Sequence, residues 1–343
     1  MSKRRAPIRF RSILCPVDFS LPSRYAIRYA TALARRLRAQ LTVLFIDDPL
    51  LMTAARHQYG GDRGFVEASR AELLQFVRQS IRNQPTGMDL RVGAGNPADE
   101  ILRIAKRLRT DLIVMGTHGS SRVIRFFFGS TTEQVLAGAT LPVLAVSPPA
   151  GRGASQRIAA IDRVICPIDL TGVWESDAIR AAAIARMFEV PLVVVHVLRR
   201  LRAAPWLPES NRPGDRERIA TAATALDRVT ARLPQGVRST RAVLVGDPAH
   251  EIAQLARRAS PLVVMSLRGT RGVWGRRGAI AYQVLALSSS PVLALPRRQL
   301  GGPLEKRLRR TINETLSTRD RSEIAGIDAL LSMGPRANRR GYR

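Results

Sequence analysis

Cysteine is nearly absent from this sequence of 343 residues, which has only Cys15 and Cys166. Both occur in matching contexts, Ile-Leu-Cys-Pro-Val-Asp and Val-Ile-Cys-Pro-Ile-Asp, within apolar runs typical of buried strands. A single thiol in each of two separate buried strands is typical of small core side chains, and it argues against a disulfide or a cysteine metal site. We predict no cysteine chemistry.

Long apolar runs are also missing, since none approaches the roughly 20 residues that a helix needs to cross a bilayer. The basic start Lys3-Arg4-Arg5 is followed by Ile-Arg-Phe-Arg, not by the continuous apolar segment of a secretory signal. An apolar content of 45% over this length suffices for about two domains with cores of their own. We therefore expect a globular, cytoplasmic protein without transmembrane segments.

Lysine is scarce, since Lys3, Lys106 and Lys306 are the only three, and arginine supplies nearly all of the positive charge. The formal net charge is +28, with excesses of +11 over residues 1–150, +12 over 151–300 and +5 over the remainder. Such a field favours anionic partners, including nucleotides, nucleic acid and acidic lipid surfaces. The alternative is that the arginines are ordinary solvated residues of helix faces.

Motifs of dedicated catalysts are absent as well. The chain has no P-loop G-x4-G-K-[ST], no Ser-Gly-Gly-x-Asp-Ser pyrophosphate loop, no His-x-x-His motif, and only four scattered histidines. No paired-carboxylate metal motif lies on an obvious loop. We predict no catalytic residues and no metal site built by protein side chains.

An internal repeat organises the chain, because residues 11–147 and 162–296 follow one pattern. The two cysteine contexts are separated by an offset of 151. After one lost residue the offset becomes 150, so that Leu112-Ile-Val-Met115 aligns with Leu262-Val-Val-Met265. We refer to the two halves as the first copy and the second copy.

In each copy, five apolar, strand-like runs alternate with helical patterns. The helices predicted in the first copy cover Tyr25 to Arg38, Val66 to Arg82, Ala98 to Leu108 and Thr131 to Ala139. Strict alternation favours right-handed crossovers between parallel strands. We predict an α/β fold of two tandem copies, each an open, doubly wound, five-stranded parallel sheet. Ligands of such sheets bind at the carboxyl ends of the strands, near the point where strand order reverses.

A glycine loop in the first copy is the strongest functional motif. Gly116-Thr-His-Gly119 follows the strand-like run 111–115, and nine residues later Gly129-Ser130 precedes a helical pattern. Ser130 to Glu133 fits a capping box with Ser130 as the N-cap residue. Glycines let a phosphate approach the backbone, and a helix start supplies unpaired N–H groups with a positive dipole end. An ordinary glycine-containing connection between strand and helix is the alternative.

Other side chains near this loop permit two interpretations each. Asp18 follows the first strand, where its carboxylate is suited either to a ribose or adenine donor or to capping the next helix. Arg122 and Arg125 are suited to phosphate or to solvent. We expect Phe126-Phe127-Phe128 to pack the loop against the domain, and His118 has no paired acid or second histidine that would indicate catalysis.

One further motif is misleading. Gly93-Ala-Gly-Asn-Pro-Ala98 formally fits the dinucleotide fingerprint G-x-G-x-x-[GA]. It follows the third strand, however, and its counterpart around Gly246 loses the first glycine while keeping the proline. A turn followed by proline at a helix start explains both segments.

The complete spacing G-x-x-G-x9-G-[ST] resembles that of the ATP-binding branch of the universal stress protein family. The resemblance implies an adenine-nucleotide α-hydrolase-like fold that binds ATP, with Mg on its phosphates, as a structural or signalling ligand, and at most slow incidental hydrolysis. It implies that Asp18 contacts the adenosine and that the backbone around Val43 frames the base. The residues implied to cradle the triphosphate are Gly116, Gly119, Gly129, Ser130 and Thr131.

These patterns predict three parts of the chain: a nucleotide-binding domain over 9–148, a domain with a degenerate loop over 162–297, and a basic, partly disordered tail over 298–343. Gly151 to Ser155 is a plausible linker. In the second copy the loop becomes Ser266-Leu-Arg-Gly269, nine residues, then Ala279-Ile280. Since the first glycine and the Gly-Ser pair are gone, we expect weak or absent ATP binding there.

The resemblance also implies pairing through the last strand of each domain. The runs Val143 to Val146 and Val292 to Leu295 are suited to pair within one chain as an internal pseudo-dimer, and dimerisation of whole chains is left open. One hypothesis is therefore an ATP-binding, nucleotide-dependent regulator or sensor of the stress response. A second is a nucleotide-independent adaptor that binds nucleic acid or anionic membrane through its arginine-rich surface, and a third, weaker one is a regulatory ATPase.

Overall fold

The structure is a computed structural model. It describes eight stretches of the chain, residues 9–47, 62–81, 87–117, 129–147, 160–170, 174–200, 215–267 and 280–296. Within these stretches the chain forms ten strands and eight helices. The predicted linker and basic tail lie outside the described residues.

The two copies repeat one order of elements. The strands of the first copy are β1 (Ser12–Val17), β2 (Gln40–Asp47), β3 (Asp89–Ala94), β4 (Leu112–Gly116) and β5 (Val143–Val146). Its helices are α1 (Leu21–Leu37), α2 (Asp62–Ser80), α3 (Pro97–Arg107) and α4 (Ser130–Gly138).

The second copy has β6 (Arg163–Pro167), β7 (Leu192–Leu198), β8 (Ser239–Val245), β9 (Pro261–Ser266) and β10 (Val292–Leu295). Its helices are α5 (Trp174–Phe188), α6 (Asp215–Ala231), α7 (Pro248–Leu255) and α8 (Ile280–Leu287).

All ten strands belong to one sheet with the order β3-β2-β1-β4-β5-β10-β9-β6-β7-β8. Pairing within each copy is parallel, and an antiparallel ladder joins β5 to β10, with Leu293 opposite Leu144. Strand order in the first copy reverses between β1 and β4, which defines the switch point where ligands of such sheets bind. The predicted doubly wound parallel architecture is confirmed for each copy.

The core lies on both faces of this sheet. Helices α1, α2, α5 and α6 cover one face, and α3, α4, α7 and α8 cover the other. The strands are buried on both sides, which is why they are continuous apolar runs instead of alternating ones. Each apolar cluster contains residues of β5 and β10, so the core continues from one copy into the other.

Helix boundaries follow local chemistry. Helix α1 begins four residues before the predicted start, because Ser20 caps it and Pro22 fits the first turn. Gly95 and Asn96 form the turn between β3 and α3, Asn96 caps α3 and Pro97 begins it, which confirms the predicted turn before a proline at a helix start. Among the described residues, no helix combines the length and the apolarity that a bilayer crossing requires.

Gly116, at the carboxyl end of β4, lets the start of α1 approach the sheet. A Cβ at Gly116 would lie 2.9 Å from Pro22 Cβ and 3.0 Å from both the carbonyl carbon and the oxygen of Pro22. These distances are below van der Waals contact, and the contacting backbone cannot move without moving α1. The first requirement for glycine here is therefore helix packing.

We expect Gly116→Ala to lower the free energy of unfolding by about 1–3 kcal/mol, because the methyl group would displace the start of α1. Chemical denaturation measures the loss. Gly138→Ala is the control, since a Cβ there would meet only Leu102 Cδ1, the movable end of a side chain. Equal stability of Gly116→Ala and the unmutated protein would contradict the packing argument.

Arg36, in the last turn of α1, connects the two copies. Its guanidinium donates a hydrogen bond of 2.8 Å to the carbonyl of Phe188 and lies 5.0 Å from the centre of the Phe188 ring. Phe188 is the last residue of α5, where helix carbonyls lack intrahelical partners and the dipole is negative. A cation of the first copy thus stabilises a helix end of the second.

The counterpart of Arg36 in the second copy is Met187, so Arg36→Met keeps a long side chain and removes the guanidinium that contacts Phe188. We expect a loss of about 1 kcal/mol in the free energy of unfolding, since a charge-assisted hydrogen bond disappears from a partly exposed site. Arg70→Met on α2 removes the same charge from an exposed residue and should be nearly neutral. Unfolding of both variants at the same denaturant concentration would show that the contact of Arg36 with Phe188 does not stabilise the protein.

Candidate nucleotide site at the carboxyl edge of the first copy

Asp18 directly follows β1, and its carboxylate is held by serines of the next turn. Oδ1 accepts hydrogen bonds from the Ser20 N–H at 3.1 Å and from the hydroxyls of Ser20 and Ser23. The Ser23 hydroxyl in turn accepts a bond of 3.1 Å from the Asp18 N–H. The carboxylate is therefore fixed in orientation, although Asp18 is exposed at this edge. It does not cap α1 itself, because Ser20 takes that position.

Phe19 shapes this turn. Its backbone is left-handed, with φ of 61°, a conformation that costs a bulky residue energy and needs support from packing. The Phe19 ring centre lies 4.3 Å from that of Phe45 and 5.3 Å from that of Phe76. The aromatic contacts hold the bend that turns Asp18 towards the edge of the sheet.

The two ends of the glycine loop meet at the carboxyl end of β4. The Gly129 N–H donates to the Thr117 carbonyl at 3.3 Å, and the Thr132 hydroxyl donates to the Gly116 carbonyl at 3.0 Å. Thr117 is anchored to β5 by its N–H, which donates to Val146 at 3.1 Å. The start of α4 is thus fixed beside the end of β4.

Helix α4 begins at Ser130, one residue before the predicted start at Thr131, so the predicted capping box with Ser130 as the N-cap residue is wrong. Gly129 is the N-cap residue, with φ of −55° and ψ of 136°, and Ser130 is the first helical residue. The helix starts one residue earlier because the Gly129 N–H is already satisfied by Thr117 and the Gly129 carbonyl accepts from Glu133. The Ser130 side chain is consequently exposed, not used as a cap.

Four helices have their N-cap residue within the described part of the chain. Ser20, Asn96 and Asp247 bond backbone N–H groups of α1, α3 and α7 through their side chains. Gly129 forms no side-chain bond at α4. Of these four helix starts, α4 alone presents its first N–H groups and its positive dipole end without a side-chain acceptor.

Val43 lies inside the sheet, away from the carboxyl edge where a ligand would bind. It is fully buried in the middle of β2, opposite Cys15 on one side and Leu90 on the other. The strand register sets Phe45 opposite Val17, so Ile46 lies at the level of Asp18. The part of β2 at the edge of the sheet therefore begins at Phe45, and the proposed contact of Val43 with a base stays a prediction.

Asp47, which sequence reasoning missed, ends β2 at the same edge. It is only 5% exposed, and Oδ1 accepts a bond of 3.1 Å from the Ser69 hydroxyl. Among the described residues, Oδ2 has no hydrogen-bond partner. Burial raises the pKa of this carboxyl, with a further rise from the charge of Glu72, while the Ser69 bond acts in the opposite direction. Asp47 follows an apolar run in the sequence, as Asp18 does, and this pattern could have identified it as a residue of the carboxyl edge.

Several predicted loop residues lie outside the described stretches, namely Gly119, His118, Arg122, Arg125 and Phe126 to Phe128. The structure brings Asp18, Gly116, Gly129, Ser130 and Thr131 to one edge. Both thiols are buried in strands, as predicted, and burial raises the pKa of each. In the described ranges, no group of three potential metal-ligating side chains comes together.

The same edge of the second copy has different contacts. Ser266 replaces Gly116, and its hydroxyl donates to the carboxylate of Asp177 on α5. Asp177 occupies the position of Ala26 in the first copy, so a polar bridge replaces an apolar contact. His196 replaces Phe45 and bonds the Ile168 carbonyl at 3.0 Å through Nδ1. Here polar side chains form hydrogen bonds where the first copy has glycine and apolar residues.

Comparison with known proteins identifies both copies. The model of the universal stress protein family matches residues 9–147 and 160–296. A universal stress protein of Methanocaldococcus jannaschii is 28% identical over 142 residues, which cover 41% of this chain and 84% of the relative. One from Thermus aquaticus is 34% identical over 142 residues, covering 40% of this chain and 98% of the relative.

Solved structures match the tandem arrangement as a whole. The structure of a universal stress protein from Archaeoglobus fulgidus superposes with a TM-score of 0.59 at 20% identity, covering 85% of this chain and 98% of the other. A functionally unknown protein from Pseudomonas aeruginosa gives a TM-score of 0.56 at 16% identity, with coverages of 84% and 92%. At these identities the likeness establishes the fold. With both halves matched by the family model, the chain belongs to the universal stress protein family.

Proposed function

We propose that the first copy binds ATP, with Mg on its phosphates, at the carboxyl edge between β1 and β4, and that the protein is a nucleotide-dependent regulator or sensor of the stress response. Catalysis is not part of the proposal beyond slow, incidental hydrolysis. The second copy serves as a diverged partner domain. Membership of the family and the residues of the first edge support this assignment.

The observation that carries the proposal is the uncapped start of α4. Gly129 lacks a side chain, and Ser130 is exposed, so a phosphate can reach the backbone N–H groups of the first turn. The bonds from Gly129 to Thr117 and from Thr132 to Gly116 fix this turn in advance. Pre-organised donors lose little entropy when an anion binds.

Asp18 is suited to the nucleoside end of the same ligand. Every hydrogen bond to its carboxylate within the described residues uses Oδ1, which leaves the lone pairs of Oδ2 for a hydroxyl or amino donor. A carboxylate can accept but not donate, so it favours ribose hydroxyls or an exocyclic amine. Asp18 and α4 lie on the two sides of the switch point.

The residues at this edge fit Mg bound through phosphate oxygens better than Mg bound in a protein cage. Mg²⁺ commonly keeps several waters and uses substrate phosphates as ligands. In the described residues no cluster of carboxylates is available to hold it independently. The protein therefore contributes the phosphate cradle, and the nucleotide brings its metal.

The second copy is proposed to pair with the first as an internal pseudo-dimer and to bind ATP weakly or not at all. The antiparallel β5 to β10 ladder supports the pairing. Helix α8 starts with Ile280, which has no hydroxyl and whose branched side chain would crowd a phosphate at that helix start. The bridge between Ser266 and Asp177 further distinguishes this edge from that of the first copy.

Equilibrium titration of Mg-ATP into nucleotide-stripped protein is the direct test. We expect about one site per chain. Ser130→Ile, which introduces the residue found at Ile280, and Gly119→Arg should each weaken binding at least about tenfold by blocking the phosphate cradle. Ser130→Ala should weaken it less, because the backbone donor is retained.

The matched control is Ile280→Ser, which alters the corresponding residue of the second copy and should leave the affinity of the first site unchanged. Absence of binding in the unmutated protein at millimolar Mg-ATP would refute the proposal. Undiminished binding in both Ser130→Ile and Gly119→Arg would place the site elsewhere.

Ser23→Ala tests whether the orientation of Asp18 matters. Removal of the hydroxyl that bonds Oδ1 should weaken Mg-ATP binding by about three- to tenfold, equivalent to roughly one lost hydrogen bond. Ser80→Ala is the control, because Ser80 is similarly buried and its hydroxyl donates to the Phe76 carbonyl of its own helix. If both variants lose stability but neither loses affinity, the hydrogen bond from Ser23 to Asp18 does not contribute to nucleotide binding.

A further inference from the structure

Six cations line the amino ends of the central strands of the first copy, on the edge opposite the candidate nucleotide site. We call this set the basic edge, and its members are Arg9, Arg11, Arg38, Lys106, Arg107 and Arg109. All six residues are exposed. Within the described part of the chain, none of these side chains forms an ion pair or a hydrogen bond.

Backbone contacts bring the three segments of the basic edge together. The Arg11 carbonyl accepts a bond of 2.8 Å from Gln40, at the start of β2. The carboxylate of Asp111 accepts bonds from the Arg11 N–H at 3.0 Å and the Ser12 N–H at 3.2 Å. Since β2, β1 and β4 are neighbours, the three segments lie within roughly 10 Å of one another in the plane of the sheet.

Asp111 is the one carboxylate that contacts the backbone of these segments in the described residues, and both of its oxygens are engaged by backbone N–H groups. It therefore offsets a single charge of the six, and Glu100 on α3 interacts electrostatically with Arg107. The positive charges of the basic edge thus exceed the negative charges beside them. Mutual repulsion makes such a cluster unfavourable in the absence of a counter-charge.

The second copy provides an internal comparison. The counterparts of the basic edge are Ala160, Asp162, Glu189, Arg257, Arg258 and Ala259, with two cations and two anions. Arg38 and Glu189 share the left-handed backbone, with φ of 53° and 58°, as do Arg109 and Ala259, with 51° and 65°. The fold thus has the same backbone at these positions in both copies, and it does not require the charge.

Stabilisation of helix ends explains only part of the cluster. Lys106 and Arg107 lie in the last turn of α3, where cations interact favourably with the dipole. Arg9 and Arg11 belong to no helix and precede the first strand. The positive charges of Arg9 and Arg11 therefore do not stabilise a helix end.

We propose that the basic edge of the first copy is a docking surface for the phosphodiester backbone of nucleic acid. Five of its six cations are arginines, whose planar guanidinium matches phosphate oxygens in pairs. The binding is expected to depend on backbone charge and not on base sequence. It is independent of the ATP site, which lies at the other ends of the same strands.

The apolar residues argue for nucleic acid over a membrane surface. Proteins that lie on membranes generally bury apolar side chains beside their cations. The large apolar side chains that are exposed in the described residues are Leu21, Val66 and Ile179. Leu21 and Val66 lie towards the opposite ends of their helices, and Ile179 belongs to the second copy.

The test compares two variants of the full chain that each lose four positive charges. The edge variant carries Arg9→Ala, Arg11→Ala, Arg38→Ala and Arg109→Ala. The control carries Arg70→Ala, Arg78→Ala, Arg216→Ala and Arg228→Ala, which are exposed arginines of α2 and α6. Binding is measured by fluorescence anisotropy with a labelled DNA duplex of random sequence, about 20 base pairs long. The salt concentration is varied from roughly 50 to 200 mM, a range over which counterion release lowers the affinity of such complexes.

We expect the edge variant to bind duplex at least about tenfold more weakly than the unmutated protein, with a salt slope reduced by about 3 to 4, since each lost phosphate contact removes about 0.9. The control should change affinity by less than about threefold and keep its slope. Mg-ATP affinity should be unchanged in both variants, which separates this proposal from the nucleotide site.

Three results would overturn the proposal. Equal losses in both variants would attribute binding to the net charge of the whole protein. Absence of duplex binding by the unmutated protein at the lowest salt concentration would show that the basic edge does not bind nucleic acid. Loss of binding to phosphatidylserine vesicles in the edge variant, with duplex binding retained, would identify an anionic membrane as the partner.

Discussion

The pairing of β1 with β4 is the constraint on which the candidate site depends. Because strand order reverses between them, the helices that follow these two strands leave the sheet on opposite faces, and their starts flank one crevice. Asp18 follows β1, and the amino end of α4 lies beside the end of β4. Gly116 makes the arrangement compact, since any side chain there would push Pro22 and the start of α1 away. Gly116 therefore belongs both to the packing of α1 and to the candidate site. The sequence alone does not show which of these two roles requires glycine.

Duplication lets the requirements of the fold be distinguished from those of function. Features that both copies keep, such as the left-handed residues after α1 and α5, follow from how a helix of this fold turns into the next strand. Features that differ between the two copies are not required by the fold. The carboxyl edge changes from Gly116 and Ala26 to Ser266 and Asp177, and the amino edge loses its excess of positive charge. Both edges of the sheet have thus diverged, while the buried strands between them have stayed alike.

Much of this architecture could be predicted from the sequence because continuous apolar runs and the repeat fix strands, helices and their parallel pairing. Details that depend on one backbone angle or one residue of register could not. Ser130 had the composition of a cap, yet the bond from Gly129 to Thr117 moved the helix start by one residue. Val43 lies on the predicted strand, but its depth below the edge follows from pairing with Cys15, which no local pattern specifies. Asp47 was overlooked because its burial depends on neighbours distant in sequence, including Ser69.

Helix α1 relates these separate observations to one another. Its 17 residues span about 26 Å, from the serine network around Asp18 to the contact of Arg36 with Phe188 and the exposed Arg38 beyond. One face of the helix is buried against the sheet, so the groups at its two ends are held at a fixed separation by the same packing. A substitution that loosened this packing would disturb the nucleotide site, the contact between the copies and the basic edge together. A substitution at one end that leaves the helix in place should affect one of the three alone, and that difference distinguishes a local role from a structural one.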